Sequence, residues 1–354
     1  METLHVEGVK FIWYLQRTFA PWTKHFLLIS HGGDPRNSFL LYFPIAYNFN
    51  SAIGLMVLWS AVLSEWLNLI LKWMLRGERP YWWVEEHMKE QNIHLKQYPL
   101  TCETGPGSPS GHVMVTASVL CTLMPAITAK LCKLFRVSTS SLTLISVTIQ
   151  SVCWLIFIAI LVVVSVSRVF IATHFPHQVI LGALIGILLS LLVQREQVSK
   201  ITDLIPCICV AFFLAVTALF LYVGLSFVVF DPSLSITKAQ QWCADPKYIH
   251  LDTTPFYSLV RDIGVVVGVG VSHLLIKIWS QEDPSNDSKS NFKRLIQSFL
   301  SVACLQLLEQ MGLPLWNRIL FYCAGFIKNV LLVVIIVFVV PSLLSNKSDK
   351  SKSD

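Results

Sequence analysis

Trp154-Leu-Ile-Phe-Ile-Ala-Ile-Leu-Val-Val-Val164 contains no polar side chain and lies inside a longer apolar run from Ser141 to Val166. A helix needs roughly 20 apolar residues to cross a bilayer core, and this run supplies them. Further along, comparable runs occupy 204–230 and 329–344. Of the 354 residues, 54% are hydrophobic and only 14% are charged, against about a quarter charged in soluble domains. Several runs of this kind leave no residues for a soluble core. The expected fold class is therefore all-α, a polytopic membrane protein.

The hydropathy pattern predicts nine spans, at about 26–46, 54–75, 113–129, 141–166, 177–194, 203–230, 255–279, 295–311 and 319–344. The first is the poorest, because Asp34 and Arg36 interrupt it. No internal repeat is present. Lys130, Lys133, Arg136, Arg195, Lys200, Lys289, Lys293, Arg294 and the lysines of the tail all fall on one side by this count. The positive-inside tendency makes that side cytosolic, and the amino terminus and alternate loops then face the opposite compartment. The formal net charge of +6 is read first as these loop charges. No nucleic-acid motif accompanies it, so no nucleic-acid partner is expected. Residues 1–24 mix charges with aromatics and form no cleavable signal peptide, which leaves the first span as the insertion signal. The tail ends Lys350-Ser-Lys352-Ser-Asp354, a dilysine-like pattern of endoplasmic reticulum retrieval. The opposite compartment is then the reticulum lumen, and the sequons at Asn286 and Asn346 lie on the cytosolic side. Six cysteines (Cys121, Cys153, Cys207, Cys209, Cys304 and Cys323) sit in apolar runs without paired metal spacing. Cys102 and Cys243 fall in loops, where a disulfide between them is an open alternative.

Polar groups at the ends of membrane spans are costly and need a reason. Lys72 lies in the last turn of the second span, and Arg79-Pro80 follows. Pro109-Ser110-Gly111-His112 immediately precedes the third span. Arg168 closes the fourth, and His174 comes six residues later. The crossing count brings all of these out on the lumenal face. Two arginines and a lysine make a site for a dianion, because guanidinium forks match phosphate oxygens. Ser110 and Gly111 begin a helix, where backbone N–H groups and the dipole favour phosphate. Two histidines beside that site supply a nucleophile and a proton donor. Taken singly, the cations could snorkel at an interface and the histidines could be interfacial. Together they read as a phosphatase site.

The pattern Lys72-x6-Arg79-Pro80, Pro109-Ser-Gly-His112 and Ser167-Arg168-x5-His174 resembles the three-part signature of the type 2 phosphatidic acid phosphatase superfamily. Arg79-Pro-Tyr-Trp-Trp-Val84, Cys102-Glu-Thr-Gly-Pro-Gly-Ser-Pro-Ser-Gly-His112, His174-Phe-Pro-His-Gln-Val179 and Asp252-Thr-Thr-Pro-Phe256 are similar to glucose-6-phosphatase catalytic subunits in particular. The resemblance implies a phosphatidic acid phosphatase-like helical core at about 54–194, accessory spans at about 203–344 and a tail at 345–354, all within one domain. It implies His174 as nucleophile through a phosphohistidine, and His112 as proton donor and then acceptor. Lys72, Arg79, Ser110, Gly111 and Arg168 would hold the phosphoryl oxygens, with no metal or other cofactor. It further implies glucose 6-phosphate as substrate, a place in gluconeogenesis and glucose homeostasis, and coupling to a glucose 6-phosphate transporter.

One departure stands out. The superfamily has an acid four residues after the nucleophile, where it orients the ring, and this chain has Gln178. The Gln178 side-chain carbonyl can itself orient the ring, though it stabilises an imidazolium less; Asp34 is a candidate replacement and Glu103 a weaker one. Tyr81-Trp82-Trp83 is expected in an aromatic belt, with stacking on a sugar as the alternative. The stretch 231–254 could form a lid. A lipid phosphate phosphatase, a weakly active regulatory paralogue and an organic phosphate transporter stay open beside the sugar phosphatase.

Overall fold

Asn50 decides where the first long helix begins: its side chain accepts from the Ile53 N–H at 3.1 Å and caps α4, Ser51–Leu75. Arg76, with φ 51° in the left-handed region, ends that helix one turn past Lys72. Pro80 then starts α5, Pro80–His87, with its ring at a position that needs no donor. The computed structural model describes residues 2–88, 93–139, 143–196, 198–227, 234–249, 254–279, 291–314 and 316–344. Among them every regular element is helical. The carboxyl tail with Lys350 and Lys352, and the sequons at Asn286 and Asn346, lie outside the described residues.

Helix α7, Leu144–Phe170, carries the apolar run that decided the fold class. It buries Cys153, Phe157, Leu161 and Val164, spaced as one helix face, and exposes Leu155, Ile156, Ile158 and Val162. A helix apolar all round with one buried stripe is suited to lipid on its remaining faces. Helices α6, Gly111–Leu134, and α8, Pro176–Glu196, form the most extensive pair. A Cβ at Gly186 would stand 2.2 Å from the Met114 carbonyl oxygen, and one at Gly182 would stand 2.7 Å from that of Ser110. Small residues four apart let helix backbones meet closely in lipid. This contact sets the first turn of α6, with His112, against the turn that leads into α8, with His174.

Seven helical segments among the described residues are long and apolar enough to cross a membrane, within 51–87, 111–134, 144–170, 176–195, 204–227, 256–278 and 318–343. Two of the nine expected spans fall short. The span at 26–46 is divided into α2, Thr23–Gly32, a turn, a π-helical turn at Ser38–Tyr42, and α3, Phe43–Phe49. The break falls at Asp34 and Arg36, whose side chains pair with each other at 2.7 Å. The span at 295–311 corresponds to α12, Asn291–Gln310, which packs on α3 through Asn48 Nδ2 donating to Ser301 Oγ at 3.2 Å.

Five further helices surround this core. Helix α1, Glu2–Thr18, was not expected from the sequence. It buries Val9, Ile12 and Gln16 and packs on α5 and the end of α7. Gln16 Nε2 donates to the Phe170 carbonyl (2.7 Å), and His5 stacks on Phe175 at 4.5 Å. Helix α10, Leu234–Trp242, lies over α5, with Lys238 Nζ on Glu86 at 2.8 Å and on Glu78 at 3.0 Å. On either side of α10 in the chain, α9 (Leu204–Phe227) and α11 (Pro255–Ile278) pack on each other. Helix α11 also runs parallel to α13, Arg318–Val334. Tyr257 meets Phe321, and Cβ atoms on Gly264 and Gly268 would meet the carbonyls of Phe326 and Val330.

Candidate active site

Arg79 precedes a proline, which favours extended backbone, and it has φ −110° and ψ 145°. Its side chain is fully buried and carries four interactions. Nε donates to Gly105 O at 2.6 Å, Nη1 to Thr173 O at 3.2 Å and Nη2 to Pro106 O at 3.1 Å; Nη2 is also 3.0 Å from Glu103 Oε2. One guanidinium thus binds the 103–107 loop to the turn that carries His174. Gly77 and Gly107 allow this close approach: a Cβ on Gly77 would be 2.4 Å from Ser108 Cβ, and Gly107 N–H donates to Gly77 O at 2.6 Å.

Arg168 reaches the same place from the last turn of α7. Its Nη1 donates to Ser30 Oγ at 2.6 Å, its Nη2 bonds Glu103 Oε1, and its buried Nε has no hydrogen-bond partner among the described residues. The Glu103 carboxylate also lies 3.6 Å from His112 Nδ1 and 3.9 Å from His174 Nε2. Burial opposes its charge, but Arg168 and Arg79, with His112 and Lys72 behind them, hold the carboxyl well below the usual carboxylate range. One carboxylate is therefore held by two arginines and flanked by two histidines. That is the arrangement expected for a phosphate dianion.

His174 is fully buried, and its Nδ1 lies 2.7 Å from Gly107 O and 3.3 Å from Gln178 Oε1. A carbonyl only accepts, so Nδ1 carries the proton and Nε2 holds the lone pair. Nε2 has no hydrogen-bond partner among the described residues. Burial, and then Arg79, push the imidazole well below the ordinary histidine value, with Glu103 opposing. The ring is neutral near pH 7. Gln178 is fixed in turn: Phe175 N–H donates to its Oε1 at 3.2 Å, and its Nε2 donates to Glu78 O at 2.7 Å. A helix-first-turn glutamine thereby takes the place of the acid seen in the superfamily pattern.

The structure brings together Lys72, Arg79, Ser110, Gly111, His112, Arg168, His174 and Gln178, and leaves Asp34 out. The Asp34 carboxylate takes the backbone N–H and guanidinium of Arg36 at 2.7–3.1 Å and makes no contact with His174. Glu103 approaches the ring on its Nε2 side, so it does not orient Nδ1 either. The Ser110 N–H, expected to face phosphate, instead donates to Gln178 O at 3.1 Å; its buried hydroxyl has no hydrogen-bond partner among the described residues. The Tyr81-Trp82-Trp83 run is neither a belt nor a sugar platform. All three residues are buried, with Tyr81 Oη donating to Glu103 O at 3.1 Å and Trp83 edge-on to Phe175. Cys102 and Cys243 form a disulfide with Cα atoms 5.8 Å apart, tying the Glu103 loop to the segment that follows α10.

Lys72, Glu103, Gly111 and His112 line a cavity of about 730 Å³, open solvent at its mouth included. The same cavity is also lined by Asp34, Arg36, Glu65, Asn68, Ser258 and Arg261. Sequence reasoning missed Ser30, the Gly107 carbonyl, Glu65, Asn68, Ser258 and Arg261. The break of the first span at Asp34 and Arg36 was the one signal pointing toward them.

A family model described as the PAP2 superfamily matches residues 53–201. Glucose-6-phosphatase 2 of Homo sapiens is 37% identical over 345 residues, 96% of each chain. The chain belongs to the glucose-6-phosphatase family. Glucose-6-phosphatase catalytic subunit 1 of Canis lupus familiaris is 34% identical over 353 residues, 99% of this chain and 97% of its own. The corresponding protein of Rattus norvegicus is 35% identical over 332 residues, 93% and 91% of the two chains. No solved structure matches. The enzyme class expected from the sequence, a phosphoric monoester hydrolase, is that of this glucose-6-phosphatase family, and the chain is a multi-pass membrane protein.

Proposed function

We propose that this chain hydrolyses glucose 6-phosphate at the lumenal face of the endoplasmic reticulum, through a phosphohistidine on His174. The observation that carries the reading is the position held by the Glu103 carboxylate, between Arg79, Arg168, His112 and His174. With a phosphoryl group at that position, His174 Nε2 attacks phosphorus as the bond to the sugar oxygen breaks. His112 gives a proton to the departing oxygen. A water then loses its proton to His112 and attacks phosphorus, and the N–P bond breaks to release phosphate and neutral His174. Lys72, Arg79 and Arg168 meet the charge on the equatorial oxygens throughout, and the Ser110 hydroxyl and Gly111 N–H add donors. The Gly107 carbonyl stabilises the imidazolium-like ring without needing an acid.

The other polar residues lining the cavity favour a sugar phosphate over the lipid phosphate that remains the alternative. Carboxylates, an amide and a hydroxyl suit hexose hydroxyls and not acyl chains. The Cys102–Cys243 disulfide on the site's side supports an oxidising compartment, as the reticulum lumen is. Packing supports nine crossings. Helix α1 docks beside α5 on the site's face, so α2 and α3 together must traverse before α4 returns. Helices α11 and α13 run parallel, so α12 must traverse between them. The amino terminus and site are then lumenal, and the carboxyl terminus with Lys350 and Lys352 is cytosolic. Residues 54–194 form the catalytic core and 203–344 accessory spans of one domain. Substrate must reach the lumen first, which fits coupling to a glucose 6-phosphate transporter. The test is phosphate release by purified protein in EDTA, from glucose 6-phosphate against phosphatidic acid. Release from the sugar phosphate, abolished by His174→Ala, is expected; preferential release from phosphatidic acid would replace this reading with the lipid one.

A further inference from the structure

We infer that Glu103 is an internal anion occupying the phosphoryl position of the free enzyme, which substrate phosphate must exchange for, so that this residue sets the site's selectivity among phosphate compounds. The inference rests on the phosphatase reading above and names a device within that site.

In-line attack needs phosphorus about 3–3.5 Å from the nucleophile. Glu103 Oε2 already stands 3.9 Å from His174 Nε2 and 3.0 Å from Arg79 Nη2, while Oε1 is bonded to Arg168 and lies 3.6 Å from His112 Nδ1. A carboxylate and a phosphate dianion cannot share these four partners, because like charges at contact repel strongly in a buried site. The loop cannot withdraw as a whole. Cys102 is tied to Cys243, Glu103 N–H donates to Thr101 O at 2.9 Å, and Glu103 O accepts from Tyr81 Oη at 3.1 Å. Exchange therefore proceeds by rotation of the Glu103 side chain into the cavity that it lines with Lys72.

Rotation has a chemical consequence. A displaced carboxylate loses two charge-assisted bonds and must find new donors. A phosphate ester of a polyol brings hydroxyl donors into the same cavity, whereas a bare oxyanion brings none. Exchange is then more favourable for the sugar phosphate than for inorganic phosphate, which limits retention of the product. In this respect Glu103 acts on affinity through the arginines that it releases.

Direct binding of orthovanadate tests this without requiring turnover. Its dissociation constant is measured by ligand-dependent thermal stabilisation of the detergent-solubilised full chain, for wild type, Glu103→Gln and Glu103→Asp. Glu103→Gln is expected to melt lower without ligand and to bind orthovanadate at least about tenfold tighter, equivalent to about 1.4 kcal/mol. Glu103→Asp, one methylene too short to span both guanidinium groups, is expected to bind more tightly than wild type as well, and it decides the matter if the glutamine variant does not fold. A merely structural role would lower melting without tightening binding. Unchanged or weaker affinity in the folded variants would overturn the inference while leaving the phosphate site intact. Failure of every form, wild type included, to bind orthovanadate would overturn the phosphate site and this inference with it.

Discussion

Replacing Gly107 by alanine should inactivate the site while leaving every titratable group in place. A Cβ there would stand 2.4 Å from the Glu78 carbonyl oxygen, 2.9 Å from Gln178 Oε1 and 3.0 Å from its Nε2. Ordinary contact begins near 3.4 Å, so the 105–108 segment or its neighbours must retreat by about 1 Å. Backbone carbonyl and Gln178 amide are both held, and neither can yield like the end of a flexible chain. Gly107 O is also the acceptor at 2.7 Å for His174 Nδ1. A retreat of that size takes the pair beyond hydrogen-bond range and frees the ring. Overpacking of this kind costs about 1–3 kcal/mol of stability. Misplacing a nucleophile by about 1 Å costs on the order of a hundredfold in kcat. The assay is release of phosphate from glucose 6-phosphate, with thermal melting of the same preparations. Gly224→Ala, where an added Cβ meets nothing within 4 Å, is the control and should behave as wild type. A Gly107→Ala protein with wild-type kcat would refute the role given to this carbonyl.

Two further outcomes follow from the geometry. Gly186→Ala sets a Cβ 2.2 Å from Met114 O and 2.9 Å from Ala117 Cβ, so α6 and α8 must part; melting should fall by an amount matching about 1–3 kcal/mol, and turnover with it, whereas an unchanged protein would contradict the close packing. His174 is held well below its ordinary value of 6.5, so it stays neutral until pH falls far below that point; once the substrate's own ionisation near pH 6 is divided out, kcat/KM should show no acid limb from His174 near 6.5, and a limb there that His174 produces would contradict its burial among cations.

Much of this was legible because membranes simplify sequence. Apolar runs such as Trp154–Val164 mark helices by length alone, and cations at their ends need a purpose, so Lys72, Arg79, His112, Arg168 and His174 could be placed on one face. Gln178 could be read as one candidate partner of His174, but the nearer one, Gly107 O, could not, since a backbone carbonyl leaves no trace in side-chain chemistry. Gly107 carries the signal only as a glycine. Glu103 was visible as an acid, but its station depends on a loop set by Tyr81, Arg79 and the Cys102–Cys243 disulfide, all distant in the chain. Helix α1 was hidden because Glu7, Lys10 and Arg17 obscure the buried face of Val9, Ile12 and Gln16. Asp34 and Arg36 looked like flaws in a span; they mark where the helix breaks and lines the cavity.

The most direct test traps the intermediate. Rapid acid-free quenching of purified protein with glucose 6-phosphate labelled on phosphorus should leave label on the chain, stable to alkali and labile to acid as a phosphoramidate is, and confined to the peptide bearing His174. His112→Ala should slow its formation, and His174→Ala should remove it. Turnover with no labelled chain, or label that persists in His174→Ala, would contradict nucleophilic attack by His174.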